Sequence, residues 1–192
     1  RLSRTAAAMT QELEKFRLHD VAETAYHFFW GELADWYLEL VKPRLKGERG
    51  EASRQAARSV LVTVLDGILR LLHPIIPFVT EELWQKLPWA GDAVRPRVLM
   101  VAPWPEPRPE WEDPEAEGRM QAMQELITQV RRLRKEYGVP EGAQVGVVLA
   151  GAPQAFRETV ESEVGAVRML ARVGSIVQDG GRMKGAGAHA VL

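Results

Sequence analysis

Three carboxylates, Glu32, Asp35 and Glu39, fall three and four residues apart and so share one side of any helix that carries them. Carboxylates at this spacing line dinuclear metal sites in helical bundles. Such sites pair a Glu with a His three residues on, and no Glu-x-x-His occurs in the chain. The stripe is therefore read as solvated or ion-paired, and no metal is expected. The histidines at 19, 27, 73 and 189 are scattered and are read as structural. The chain has no His-Glu-x-x-His, no Walker loop and no Gly-x-Ser-x-Gly elbow. Cysteine is absent, which excludes disulfides, thiolate metal sites and cysteine nucleophiles. The segment Gly185-Ala-Gly187-Ala-His-Ala190 fits the loose form of a dinucleotide fingerprint. That fingerprint works by aiming a helix N-terminus at a pyrophosphate, no helical pattern follows it here, and a glycine turn is the reading adopted.

What remains is cationic chemistry. Arg4, Lys15 and Arg17 lie on or near the polar side of a first helix, and Lys42, Arg44 and Lys46 cluster at the end of a second. Arg131, Arg132, Arg134 and Lys135 crowd the end of a later one. Clustered Lys and Arg bind phosphates. In the late cluster a second explanation stands beside the first, because cations at a helix C-terminus also answer the helix dipole. Phe16, at a helix end, is expected in the core, with stacking on a base as the other reading. With 25 basic and 26 acidic side chains the net charge is −1, so any contact with nucleic acid must be local.

The elements that would position these residues are mostly helices. Leu2, Ala6, Met9, Leu13 and Phe16 recur at helical spacing and predict a helix over about 2–18. Asp20 is the expected N-cap of the next, about 21–41, which is apolar over most of its circumference and ends at Lys42-Pro43. Phe28, Phe29, Trp36 and Tyr37 are expected in the core, with Asp35 or His73 serving the polar ends of the Trp and Tyr rings. A third helix is predicted over Glu51–His73, broken by Pro74 and Pro77, and a short one over about 79–87.

Seven prolines between 88 and 114 predict an extended connector, within which Val98–Val101 reads as a strand. Beyond it come a helix over about 115–137 stopped by Gly138, a strand at Val145–Leu149, a helix over 153–173 and a strand at Ser175–Val177. A glycine turn at 180–187 and a last strand at 188–192 complete the expectation. The fold class is mainly α: a helical bundle at 1–90, a proline-rich connector at 91–114 and a small α/β domain at 115–192.

Two blocks carry a resemblance. Phe28-Phe-Trp30-Gly-Glu32-Leu-Ala-Asp35-Trp36-Tyr37-Leu-Glu39-Leu-Val-Lys42-Pro43 resembles the Trp-x-Glu-x-x-Asp-Trp-Tyr-x-Glu-x-x-Lys block of the helical anticodon-binding domain in class I aminoacyl-tRNA synthetases for valine, leucine and isoleucine. Leu71-Leu-His73-Pro74-Ile-Ile-Pro77-Phe-Val-Thr-Glu-Glu-Leu-Trp84 is similar to the His-Pro-x-x-Pro-Phe-x-Thr-Glu-Glu-x-Trp block of the same domain. The details look most like the valyl branch, and so does Gln129-Val-Arg131-Arg-Leu-Arg134-Lys135-Glu136.

The resemblance implies a partner, tRNA(Val), bound by its anticodon arm. It implies a parent ligase in which ATP serves the catalytic domain, while this stretch carries no cofactor. It also implies that an earlier helix and the catalytic and editing domains lie elsewhere in the same chain. The signatures of the His-Ile-Gly-His and Lys-Met-Ser-Lys-Ser types are absent, and Arg182-Met183-Lys184 does not replace the second. A cytoplasmic monomer is expected. The lack of both Cys and Asn, two thermolabile residue types, suits a thermophile.

Overall fold

The computed structural model describes residues 1–88, 95–178 and Gly187. The glycine turn at 180–187 (Gly187 aside), the strand at 188–192, Arg182-Met183-Lys184 and most of the fingerprint-like segment lie outside the described residues. The chain divides into two compact units, Arg1–Glu112 and Asp113–Leu192.

The first unit is helical: α1 (Leu2–Glu14), α2 (Leu18–Tyr26), a π-helical stretch (His27–Tyr37), α3 (Leu38–Leu45), α4 (Glu51–Leu72) and α5 (Pro77–Gln85). α2, the π stretch and α3 run on without a break, because the residues at each joint keep helical dihedrals. The buried positions along this rod are Val21, Ala25, Phe28, Leu33 and Val41. Widened i→i+5 turns carry Leu33 onto the seam that Phe28 occupies. Of these, Val21, Ala25, Phe28 and Leu33 form the core of the unit with Ala6 and Met9 of α1 and Ile68 and Leu71 of α4, and Phe29 and Tyr37 pack against it. α1 and α4 approach closely at Gly67, where a Cβ would come within 2.9 Å of Leu2.

The rod begins at Leu18, so Asp20 lies inside its first turn, where its charge favours the helix dipole rather than capping it. It continues through Pro43 to Leu45, since a proline so near the C-terminus removes only one hydrogen bond. Trp36 is only half-buried. The Tyr37 hydroxyl is buried with no hydrogen-bond partner, and burial raises its pKa against the opposing field of Arg44. Neither Asp35, which is exposed, nor His73 serves it. His73 Nδ1 lies 2.8 Å from the Thr80 hydroxyl, which also donates to the Ile76 carbonyl at 2.9 Å.

A second core holds the proline-rich segment against α4 and α5. Trp84, 0% exposed, packs with Leu69 and Leu99. Its Nε1 donates to Asp66 at 2.7 Å, and Arg70 Nε donates to the same oxygen at 3.0 Å. The Leu99 N–H donates to Glu81 at 2.7 Å. A side-chain hydrogen bond from Gln85, then the bond from Leu99, hold the Glu81 carboxyl below its ordinary range. Leu99–Val101 is therefore a 3-10 turn rather than a strand, because Leu99 must turn inward while Met100 and Val101 stay out. Farther along, Trp104 Nε1 donates to Thr10 at 2.8 Å and the Arg108 N–H to the buried Ser3 hydroxyl at 2.8 Å.

The second unit holds α6 (Pro114–Glu136), β1 (Val145–Leu149), α7 (Gln154–Ser162), α8 (Val164–Ala171) and β2 (Val173–Gln178). Asp113 caps α6 by accepting the Ala116 N–H at 2.9 Å. The strands pair in parallel, and the register skips Gly174, where a Cβ would meet the Gln144 side chain at 2.9 Å. The single helix expected over 153–173 is two. The break at Glu163 resets the buried face from Thr159 and Val160 to Ala166, Val167 and Ala171.

Trp84→Ala should lower stability by about 3–5 kcal/mol through the cavity it leaves. Urea unfolding followed by circular dichroism measures it. A loss below about 1 kcal/mol would mean that Trp84 does not anchor the segment.

Candidate nucleic-acid interface

The structure sorts the candidate cations into separate places. Lys15 and Arg17 flank Phe16 at the corner between α1 and α2. Lys42, Arg44 and Lys46 lie at the turn between α3 and α4. The rod from Leu18 to Leu45 separates these two sites by roughly 40 Å at about 1.5 Å per residue. Arg4, on the first turn of α1, is exposed about three turns from the corner. Arg131, Arg132, Arg134 and Lys135 belong to the second unit.

At the α3–α4 turn the cations differ in availability. Lys42 is paired with Glu39 at 2.5 Å. Arg44 donates to the Ser53 hydroxyl at 3.0 Å and to its carbonyl at 3.3 Å, tying α3 to α4. Lys46 is exposed. Arg49, which linear reading passed over, is exposed beside it. The carboxylate stripe is partly ion-paired: Glu32 with Arg1, and Glu39 with Lys42.

The α1–α2 corner owes its shape to a Schellman motif. The Arg17 N–H donates to the Glu12 carbonyl and the Phe16 N–H to that of Leu13, each at 2.9 Å. The motif requires a left-handed residue, and Phe16 supplies it with φ 57°. α3 and α6 end on the same bonding pattern, with Gly47 and Gly138 in that place. Phe16 is 88% exposed, so the expectation of a core residue is wrong. The left-handed backbone throws the ring off the helical stripe that made it look buried. Lys15 and Arg17 beside it are exposed, within 4.0 and 3.4 Å of Glu12, and Arg17 is 3.9 Å from Asp20. Leu18 is 69% exposed. On the rod Tyr26, His27 and Trp30 form an outward aromatic row, the Tyr26 and Trp30 rings 6.3 Å apart.

An exposed ring with cations on either side, as at Phe16, is the apparatus that single-stranded RNA recognition needs: rings stack on unpaired bases and cations meet phosphates. Among the described residues no group of three or more His, Cys, Asp or Glu is placed to hold a metal ion.

Comparison with known proteins bears on this geometry. Residues 1–149 match the family described as the anticodon-binding domain of tRNA ligase. The chain is 39% identical over 172 residues to a valine–tRNA ligase of Carboxydothermus hydrogenoformans, covering 90% of this chain and 19% of that protein. It is 41% identical over 164 residues to one of Thermotoga maritima, covering 85% and 18%. With one of Agrobacterium fabrum the identity is 38% over 175 residues, covering 91% and 18%. The chain thus spans about a fifth of the length of these relatives.

Phe16→Gly should raise stability by about 1 kcal/mol, since it relieves the left-handed strain and removes no buried contact. Chemical denaturation checks this. A net loss would show that the ring packs on its own unit.

Proposed function

The chain belongs to the family of anticodon-binding domains of tRNA ligases, and from that premise we propose that it holds tRNA(Val) by the anticodon arm within a valine–tRNA ligase. The observation that carries the reading is Phe16. It is an exposed aromatic ring held at a strained backbone position, with Lys15 and Arg17 on either side. Strain of this kind marks a place kept for a reason other than stability. In this reading the ring stacks on an unpaired anticodon base, and Lys15, Arg17 and, along α1, Arg4 approach the adjoining phosphates.

The α3–α4 turn, through Lys42, Arg44 and Lys46, is the other candidate backbone contact on this unit. Its separation from the corner suits a stem rather than the same loop. A net charge of −1 means that attachment rests on these local cations, so binding weakens with salt.

Valine activation with ATP, and its transfer to tRNA, are assigned to the rest of the ligase. Ile75, Ile76, Phe78, Val79 and Leu83 expose an apolar face along α5 and the turn before it. That face suits packing against other domains of the same polypeptide. Among the described residues no helix is long and apolar enough to cross a membrane. A monomer acting in the cytoplasm remains part of the proposal.

The test is binding of the chain to tRNA transcripts bearing valine, isoleucine or leucine anticodons, across a salt series. The valine transcript should bind most tightly. Phe16→Ala should weaken it by about 1–3 kcal/mol, the worth of one stacked base, without changing the salt slope. Equal affinity for all three transcripts, undiminished by Phe16→Ala, would overturn the reading.

A further inference from the structure

The second unit carries a cleft that linear reading does not reveal. It has a volume of about 730 Å³ and is lined by Arg131, Arg134 and Lys135 of α6, Glu141 of the following loop, and Leu170 and Arg172 at the end of α8. Arg172 stands 37 positions along the chain from Lys135 and beyond the stretch matched by the family. It joins the cluster only because α8 packs on α6.

The helix dipole does not account for this much charge. Two helix C-termini meet the cleft, each worth about half a negative charge. Glu141 adds one more, against four cations in the lining. Some donors are engaged: Arg131 Nε donates to the Leu170 carbonyl at 3.0 Å and one Arg134 nitrogen to the Pro140 carbonyl at 2.9 Å. The other terminal nitrogen of Arg134, Nη1, is buried with no hydrogen-bond partner. A buried guanidinium N–H without an acceptor is unfavourable, and an anionic oxygen is the group that satisfies it best.

The third observation is Arg172 itself. It ends α8 in the left-handed conformation, φ 53° and ψ 49°, with its N–H on the Arg168 carbonyl. A glycine would hold this position without strain. Phe16 and Arg172 are the only non-glycine residues with positive φ among the described residues. In this second case strain places a cation at the cleft.

We infer that this cleft binds a backbone phosphodiester of the tRNA, with Arg134 and Arg172 as donors and Arg131 and Lys135 supplying field. The site rests on the reading of the chain as a tRNA-binding region. It differs in kind from the α1–α2 corner, because phosphate contacts fix position and carry no sequence information.

Two variants leave the fold intact. Arg172→Gly removes the charge and the strain together, and Lys135→Gln removes an exposed charge. Each should reduce the slope of log affinity against log salt by about one. Each should weaken valine, isoleucine and leucine transcripts by one common factor, while the melting temperature of Arg172→Gly holds or rises. A wild-type slope in both variants would overturn the cleft and leave the anticodon reading standing. Equal wild-type affinity for the three transcripts, with the slope still reduced in the variants, would overturn the anticodon reading and support the cleft as a general RNA-backbone site.

Discussion

Phe28 and Leu33 lie five residues apart and must reach the same buried seam. In an α-helix of 3.6 residues per turn, a five-residue step overshoots a full turn by roughly 140°. The first unit meets the constraint by widening the helix from His27 to Tyr37, where the Leu38 N–H reaches back five residues to the Leu33 carbonyl. Much of the unit follows from this adjustment. Val21 and Ala25 before it and Val41 after it can then be buried along one continuous rod. Surplus apolar residues such as Tyr26 and Trp30 are turned outward. The rod stays unbroken, which keeps the α1–α2 corner and the α3–α4 turn far apart.

Helix endings are the second organising element. α3 and α6 finish on glycine, the residue that enters the left-handed region without strain. α1 and α8 finish on Phe16 and Arg172 instead. Each of these gives up some backbone stability and gains a side chain in an unusual place, one an exposed ring, the other a cation at the mouth of a charged cleft. The two positions share a local physics while belonging to different units and, in the readings above, to different parts of RNA recognition.

Legibility from sequence varied with the range of the interactions involved. Element type was readable where periodicity or a local stop signal decides it: α4 and α5, α6 with its Gly138 stop, and β1. Long-range hydrogen bonding was not. Asp66 serves the buried Trp84, the Tyr37 hydroxyl that Asp35 or His73 was expected to serve has no partner, and Leu99 turns inward where its N–H meets Glu81. Phe16 was misassigned because it completes a helical stripe, and its dihedral angle depends on the chain direction beyond it. Among the candidate cations, Arg44 also ties two helices together, whereas Arg49 and Arg172 carried no linear signal.

The helical class and the two motif blocks follow from the order of residues alone, because these depend on residue type at short spacing. So does the requirement that nucleic-acid contact be local, since opposite charges nearly cancel along the chain. Which aromatic ring faces water, which cations are already engaged and which converge emerge with folding. Those outcomes depend on backbone dihedrals and on packing between residues distant in sequence, and neither leaves a mark on the order of residues.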